Sequence, residues 1–419
     1  MKLDLTDMLY ALSFALDRIE AELLGIETGH NRRVTYLALL MAKEAGFGEE
    51  ELRDFVGCCI LHDNALTEFI HEELINSVAA QDFTLEFFDI KPEKTKLHHH
   101  HCVTGERNIR LLPFRTDVTN VILYHHENAD GSGVLGQNAL KTSLKSQILH
   151  LADEVDVTRR LTSITETEFE ELCRWVQNET GRLFSEESTA LFLKAVTYEK
   201  LSRLREKSTL AYLREEMPTE VYDYSDQEIH NIARLFSEIV DYKSTFTQNH
   251  SRSVAKKAEI MAHHYGFDAK KAVRFYFAGA MHDIGKLVVS NEILEKPGKL
   301  SAEEFAEMKN HAAATYRILS RMKGIPDIIG WASNHHEKLN GTGYPRGLAA
   351  EDLSFEDRLM ACIDIYQALT EARPYKEGFS HEKTISIMIE MVDRGELDEK
   401  IVRDIDVAML ENDTSLDYA

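Results

Sequence analysis

The chain has 419 residues, 43% hydrophobic and 28% charged, the balance of a globular protein long enough for two or three cores. Its 71 acidic against 48 basic residues leave a net charge of −23, which argues against nonspecific attachment to nucleic acid or to an anionic lipid surface. No apolar run nears the roughly 18 residues of a bilayer span, and the N-terminus has no signal-peptide core, so the expected location is the cytoplasm. Five cysteines form no CxxC pair and read as buried thiols, whereas 19 histidines fall in clusters.

Only seven prolines interrupt the chain, and apolar residues recur at helical spacing. Leu5, Met8, Leu12, Ala15 and Ile19 make the first stripe. His30-Asn-Arg-Arg-Val34 follows, then Ala42-Lys-Glu-Ala-Gly-Phe47, which leads to Leu61-His62-Asp63. The stretch from about Val155 to Glu216 reads as the end of this domain and a helical connector, closed by a turn-rich segment at 217–225. Ile229, Ile232, Phe236 and Ile239 make a later stripe, opened by the capping box Ser225-Asp-Gln-Glu228, and Ser301-Ala-Glu-Glu304 marks another helix start. No segment alternates as a strand does, so the predicted fold class is all-α.

The pattern then repeats. His250-Ser-Arg-Ser-Val254, Ala262-His-His-Tyr-Gly-Phe267 and Met281-His282-Asp283 restate the early motifs at a spacing of 220 residues. His101, His125 and His126 recur as His311, His335 and His336 at 210, and Asp153 as Asp364 at 211. This is a duplicated domain with one loop shortened, not a solenoid of short repeats.

In the second half, His250, His282, Asp283, His311, His335, His336 and Asp364 combine imidazoles and carboxylates, a set suited to iron, manganese or zinc. Seven ligands exceed what one tetrahedral ion takes, so two ions sharing Asp283 are expected. Such a pair can clamp both oxygens of an in-line phosphoryl displacement. Asp283 would bridge the ions and orient the nucleophile; Lys286 and Arg373 would neutralise phosphate oxygens.

The motifs His282-Asp283-Ile-Gly-Lys286, Glu295-Lys-Pro-Gly-Lys-Leu300, His335-His336-Glu337, Gly341-Thr-Gly-Tyr344-Pro345 and Asp364 through Ala368-Leu-Thr370 to Arg373-Pro-Tyr375 stand in order. Together they resemble the HD-GYP domains of the HD phosphohydrolase superfamily, over about residues 225–395. The resemblance implies a helical bundle with a metal site, most often iron or manganese, and phosphodiesterase activity on cyclic di-GMP or, in some members, 3′,3′-cyclic GMP–AMP. Carried over, His250, His282, Asp283 and Asp364 serve one ion, and Asp283, His311, His335 and His336 the other. Lys286 and Arg373 would contact phosphate and Tyr344 would shape the substrate site. Members with three metals carry a glutamate where this chain has Phe246, so two are expected; the family's DALT reads Gln367-Ala-Leu-Thr370 here.

The first half keeps every ligand position as His30, His62, Asp63, His101, His125, His126 and Asp153, a second candidate metal site. It lacks the rest: Leu66 stands for Lys286, Gly131-Ser-Gly-Val-Leu135 for the Gly341–Pro345 motif, and nothing for Arg373-Pro-Tyr375. Metal binding with a regulatory or structural role is expected there. His98, His99 and His100 read as solvated surface, His263-His264 as an exposed pair, and Cys58-Cys59, Trp175 and Trp331 as core.

The expected domains are an HD-like domain at 1–165, a connector at 166–224, a catalytic HD-GYP domain at 225–395 and a tail at 396–419. The favoured function is hydrolysis of cyclic di-GMP, then of 3′,3′-cyclic GMP–AMP, to a linear dinucleotide or mononucleotides. The alternatives are a mononucleotide phosphohydrolase and a non-catalytic adaptor that binds a cyclic dinucleotide. The partners expected are the cyclic dinucleotide and a second copy or a signalling protein, with no nucleic-acid polymer and no membrane.

Overall fold

The computed structural model describes residues 1–24, 28–66, 68, 94–159, 161–204, 206–217, 219–244, 249–296, 298–372 and 377–412. The chain divides into two compact units, one of Asp4–Val221 and one of Tyr222–Ala419 together with Met1–Leu3. Both are helical. The named strands among the described residues are Lys2–Leu3 (β1) and Tyr222–Asp223 (β2), paired antiparallel. No helix among the described residues is long and apolar enough to cross a membrane.

The unit of Asp4–Val221 contains α1 (Leu5–Leu24), α2 (His30–Glu44), α3 (Glu49–Ile60), α4 (Lys94–Ile109) and α5 (Leu144–Thr158), then α6 (Glu166–Asn178), α7 (Glu186–Ala195), α8 (Tyr198–Ser202) and α9 (Glu206–Glu216). Helix α2 is its centre: every residue from His30 to Ala42 is buried, against α1, α3, α5, α7 and α9. Even its charges lie inside, and they are held by buried acids. Arg32 Nε is 2.5 Å from Asp17, and Arg33 reaches Asp156 with two bonds of 2.6 and 2.9 Å. Removing one partner of such a pair leaves an uncompensated buried charge. Helices α6–α9 fall in the stretch read as a connector. They belong instead to this unit, because α7 packs on α2 and α5, and α9 on α2.

The other unit contains α10 (Asp226–Asp241), α11 (His250–His264), α12 (Ala269–Met281), a 3₁₀ turn (Ile284–Val288), α13 (Asn291–Leu294), α14 (Ala302–Leu319), α15 (Pro326–Ser333), α16 (Phe355–Thr370), α17 (His381–Asp393) and α18 (Glu399–Asn412). The capping boxes read from sequence form: Ser225 and Ser301 each accept from the amide three residues on, and Glu228 and Glu304 reach back. Ile229, Ile232, Phe236 and Ile239 are buried along α10, each side chain contributing about 1.5–3 kcal/mol by leaving water. Gly279 lets α11 and α12 approach closely; a Cβ there would lie 3.0 Å from Ala255 Cα. That crossing brings the start of α11, His250, beside the end of α12, His282. Residues 399–412, expected within a tail, form α18, packed on α11, α16 and α17.

Candidate active site

In the second half the site gathers where helices end. His250 opens α11, His282 and Asp283 follow α12, His311 lies within α14, His335 and His336 follow α15, and Asp364 lies in α16. Three imidazoles are oriented by their own backbone. Nδ1–H of His282, His311 and His335 donates to the carbonyl three residues earlier: Gly279 at 2.7 Å, Met308 at 2.6 Å and Ala332 at 2.6 Å. Each bond fixes the tautomer and leaves Nε2 as the free lone pair.

Asp283 stands between them. Its Oδ2 is 3.2 Å from His282 Nε2, 3.8 Å from His250 Nε2 and 2.5 Å from Lys286 Nζ. Its Oδ1 is 3.4 Å from His311 Nε2 and 3.9 Å from His335 Nε2. Asp364 closes the ring, 3.0 Å from His250 Nε2 and 3.6 Å from His336 Nδ1. All seven residues expected as ligands are therefore brought together.

The donor set fits metal ions. His282 Nε2 and Asp283 Oδ1 are buried with no hydrogen-bond partner, and each such group costs about 1–3 kcal/mol unless something satisfies it. Donor atoms of His250, His282 and Asp283, and likewise of His311, His335 and His336, lie within 4.8 Å of one another. Charge states agree at the second group of imidazoles, whereas at His250 burial is outweighed by hydrogen bonds to Asp364 and Glu371, which raise the ring to about 10, so a metal there displaces a proton. Burial holds His311 below the ordinary imidazole value, His335 well below it and His336 at about 3, so these rings are neutral. Burial opposes ionisation of Asp283 and Asp364, but Lys286 and the surrounding imidazoles outweigh it at Asp283, and the histidines, His250 first, at Asp364; both stay ionised. Neutral imidazoles facing carboxylates are the ligand forms.

The substrate-side residues are partly placed. Lys286, on the 3₁₀ turn, is held against Asp283. Tyr344 lies on His336, ring centroids 4.7 Å apart, and Lys309 Nζ is 5.2 Å from the centroid of the tyrosine ring. The loop that carries Tyr344 presses on the backbone beside His336. A Cβ on Gly343 would sit 2.5 Å from Glu337 Cα, and Glu337 accepts from the amides of Arg346 and Leu348 at 2.7 and 2.9 Å. Glu337 is thus the clasp of this loop. Arg373, with Pro374 and Tyr375, lies outside the described residues, as does Phe246.

Sequence reading missed Glu371. Its carboxylate accepts from His250 Nδ1 at 2.9 Å, while Gln367, one helical turn earlier, accepts from Lys257 at 2.7 Å. The signal lay in the repeat. Asp156 occupies the register of Gln367, and there it accepts from His30 Nδ1 at 2.8 Å.

The first half assembles the corresponding seven residues. His62 and His125 are oriented by carbonyls three residues back, at 2.8 and 2.6 Å. His30 Nε2 is 3.1 Å from Asp153; Asp63 is 3.3 Å from His101, 3.6 Å from His62 and 3.9 Å from His125; His126 is 3.6 Å from Asp153. His62 Nε2 is buried without a partner. The glycine scaffold of the loop is also kept: Gly131 has φ +83°, Gly133 abuts Glu127, and Glu127 accepts from the Leu135 and Gln137 amides. What is lost is chemical, with buried Leu66 for Lys286 and Val134 for Tyr344.

One reading needs correction. His98 is not solvated surface: half-buried, it stacks on His126 at 4.0 Å and 15° because it lies one turn before His101. His100 is also half-buried, whereas His99, His263 and His264 are exposed. Cys58, Cys59 and Trp331 are buried; Trp175 is half-buried against Phe184.

Two models of the HD domain match this chain, one over residues 28–158 and one over residues 234–401. Each half of the chain thus carries one match to the HD domain. It is 28% identical over 409 residues to a protein of Vibrio cholerae named 3′3′-cGAMP-specific phosphodiesterase 1, spanning 95% of this chain and 90% of the relative. A Vibrio cholerae protein named cyclic di-GMP phosphodiesterase is 42% identical over 122 residues, 27% of this chain and 25% of that one. Among solved structures, a cyclic GMP–AMP specific phosphodiesterase of V. cholerae, V-cGAP3, shares the fold with a TM-score of 0.64 at 24% identity, covering 98% of both chains.

Proposed function

We propose that this protein is a metal-dependent phosphodiesterase that opens a cyclic dinucleotide at the second-half site, with 3′3′-cGAMP ahead of cyclic di-GMP as substrate. One observation carries the reaction class: Asp283, ionised and with an unpartnered buried oxygen, lies between two groups of imidazoles and touches a lysine. The order of substrates departs from the expectation from sequence. It rests on the relative matched over nearly the whole chain, whose name specifies 3′3′-cGAMP, whereas the match to the cyclic di-GMP enzyme is confined to about a quarter of each chain.

His250, His282, Asp283 and Asp364 would hold one divalent ion, and Asp283, His311, His335 and His336 a second, iron or manganese first and zinc next. Such ions supply an activated water and offset charge on the phosphoryl oxygens. The remaining work falls to the chain. Asp283 keeps the two ligand groups in register. Lys286 sets a positive charge beside it, facing the non-bridging oxygens of a bound phosphodiester. Tyr344, packed on His336, forms a wall for the nucleotide, and Arg373 is assigned a second phosphate contact. Hydrolysis adds the oxygen of water to phosphorus and breaks the bond to the 3′-oxygen, which takes a proton from Lys286 or from water. The product is a linear dinucleotide with a 5′-phosphate. The first half, without counterparts of Lys286 and Tyr344, is assigned no part in this step.

Chromatographic product analysis tests this. Protein loaded anaerobically with ferrous or manganous ion, incubated with each cyclic dinucleotide, should give the linear product, faster from 3′3′-cGAMP, and Asp283→Ala should give none. No turnover by metal-loaded protein would favour the adaptor, and turnover of mononucleotides alone the mononucleotide hydrolase.

A further inference from the structure

The two halves also differ where α4 and α14 meet their histidine clusters. On α4, His98, His101 and Cys102 fall at positions i, i+3 and i+4, one face of the helix. The same register of α14 holds Met308, His311 and Ala312. Met308 there packs against the apolar cluster of Val289, Ile293 and Leu294. Two apolar positions of the second half have thus become a nitrogen and a sulfur donor in the first.

Cys102 is buried inside the first-half cluster: His101, Cys102, His125 and His126 have donor atoms all within 4.8 Å of one another. His101 Nε2 is 3.0 Å from His126 Nε2 and 3.4 Å from His125 Nε2, and Cys102 Sγ is 3.9 Å from His101 Nε2. A tetrahedral ion with bonds of about 2.0–2.1 Å to nitrogen and about 2.3 Å to sulfur has edges of roughly 3.3–3.6 Å between its donors. The three edges at His101 are therefore close to the spacing such an ion requires, and Cys102 Sγ approaches His125 on its Nδ1 side, at 3.6 Å. The buried and unpartnered Nε2 of His62 faces the other oxygen of Asp63 and belongs to a separate donor group with His30 and Asp153.

We propose that the first half is a second and chemically different metal centre, in which Cys102 joins His101, His125 and His126 around a zinc-like ion. Thiolate selects softer ions over manganese, while the second-half ligand set, nitrogen and oxygen only, does not. Coordination releases the thiol proton to solvent as the metal–sulfur bond forms. His98 covers the ring of His126, as Tyr344 covers that of His336. Four protein donors fill a tetrahedron, which makes this a closed, structural type of centre.

The test uses the full chain, stripped by chelation and titrated with cobalt(II) as a spectroscopic stand-in for zinc. A sulfur-to-cobalt charge-transfer band should appear in the near ultraviolet. It should persist in Asp283→Ala and vanish in Cys102→Ala, a variant that only restates Ala312 and whose melting curve checks its fold. Zinc affinity of the first half should drop about tenfold or more in Cys102→Ala, with manganese binding at the second half unchanged. A band that survives Cys102→Ala, no band with the first half loaded, or no loading of the first half overturns the proposal. None of these readouts depends on hydrolysis.

Discussion

His250 and His30 solve one problem with carboxylates from different places. Each imidazole opens a helix, turns Nε2 to an aspartate and needs an acceptor for Nδ1–H. In the first half that acceptor is Asp156; in the second it is Glu371, four residues further on at the C-cap of α16, because Gln367 occupies the register of Asp156 and is engaged by Lys257. Residues i and i+4 share a helix face, so the relocation keeps the carboxylate within reach. Loss of such an orienting partner lowers metal affinity about 10- to 100-fold. Glu371→Ala should show that loss by calorimetric titration with manganese, and Gln367→Asp in the same chain should restore much of it by returning the carboxylate to the first-half position. Failure of the second change to rescue would mean that Glu371 acts by other means. All fourteen residues that the two clusters gather were legible, because the repeat aligns them at nearly constant spacing. Glu371 was not, since its role is visible only where the repeat departs from its own register. His98 was misread as one of a run, although its distance of one turn from His101 placed it on the same face.

At the scale of elements, turns hold the ligands as much as helices do. Gly285 follows Asp283 in the 3₁₀ turn, and a Cβ there would lie 1.9 Å from the His311 carbonyl oxygen and 2.6 Å from the Thr315 amide nitrogen. Both are backbone atoms of α14, so neither can swing aside. Gly285→Ala should destabilise the chain by about 1–3 kcal/mol or more, read by denaturant unfolding. Gly330→Ala, in α15 with nothing closer than 3.4 Å, should be neutral or stabilising by up to about 1 kcal/mol. Equal losses in both would contradict the close-packing account. Helix starts at Ser225 and Ser301 could be read from local chemistry, since a capping box is written in four residues. The pairing of β1 with β2 could not, because two-residue strands leave no alternation. Nor could the membership of α6–α9 and α18, since amphipathic helices announce that they pack, not on what.

At the scale of the molecule, duplication has produced two sites with matching histidine and aspartate positions and unequal equipment. The first half keeps the imidazoles, the carboxylates and the glycine scaffold of the loop, but places Leu66 and Val134 where the second has Lys286 and Tyr344. The account therefore assigns hydrolysis to one half of a symmetric-looking sequence, and a matched pair of substitutions tests that most directly. Initial rates of 3′3′-cGAMP opening should be measured for the full chain, for Asp283→Ala and for Asp63→Ala, with metal content determined for each. The prediction is that Asp283→Ala falls to background while Asp63→Ala, altered only in the first half, still opens the ring. Loss of turnover in Asp63→Ala with Asp283→Ala still active would contradict it.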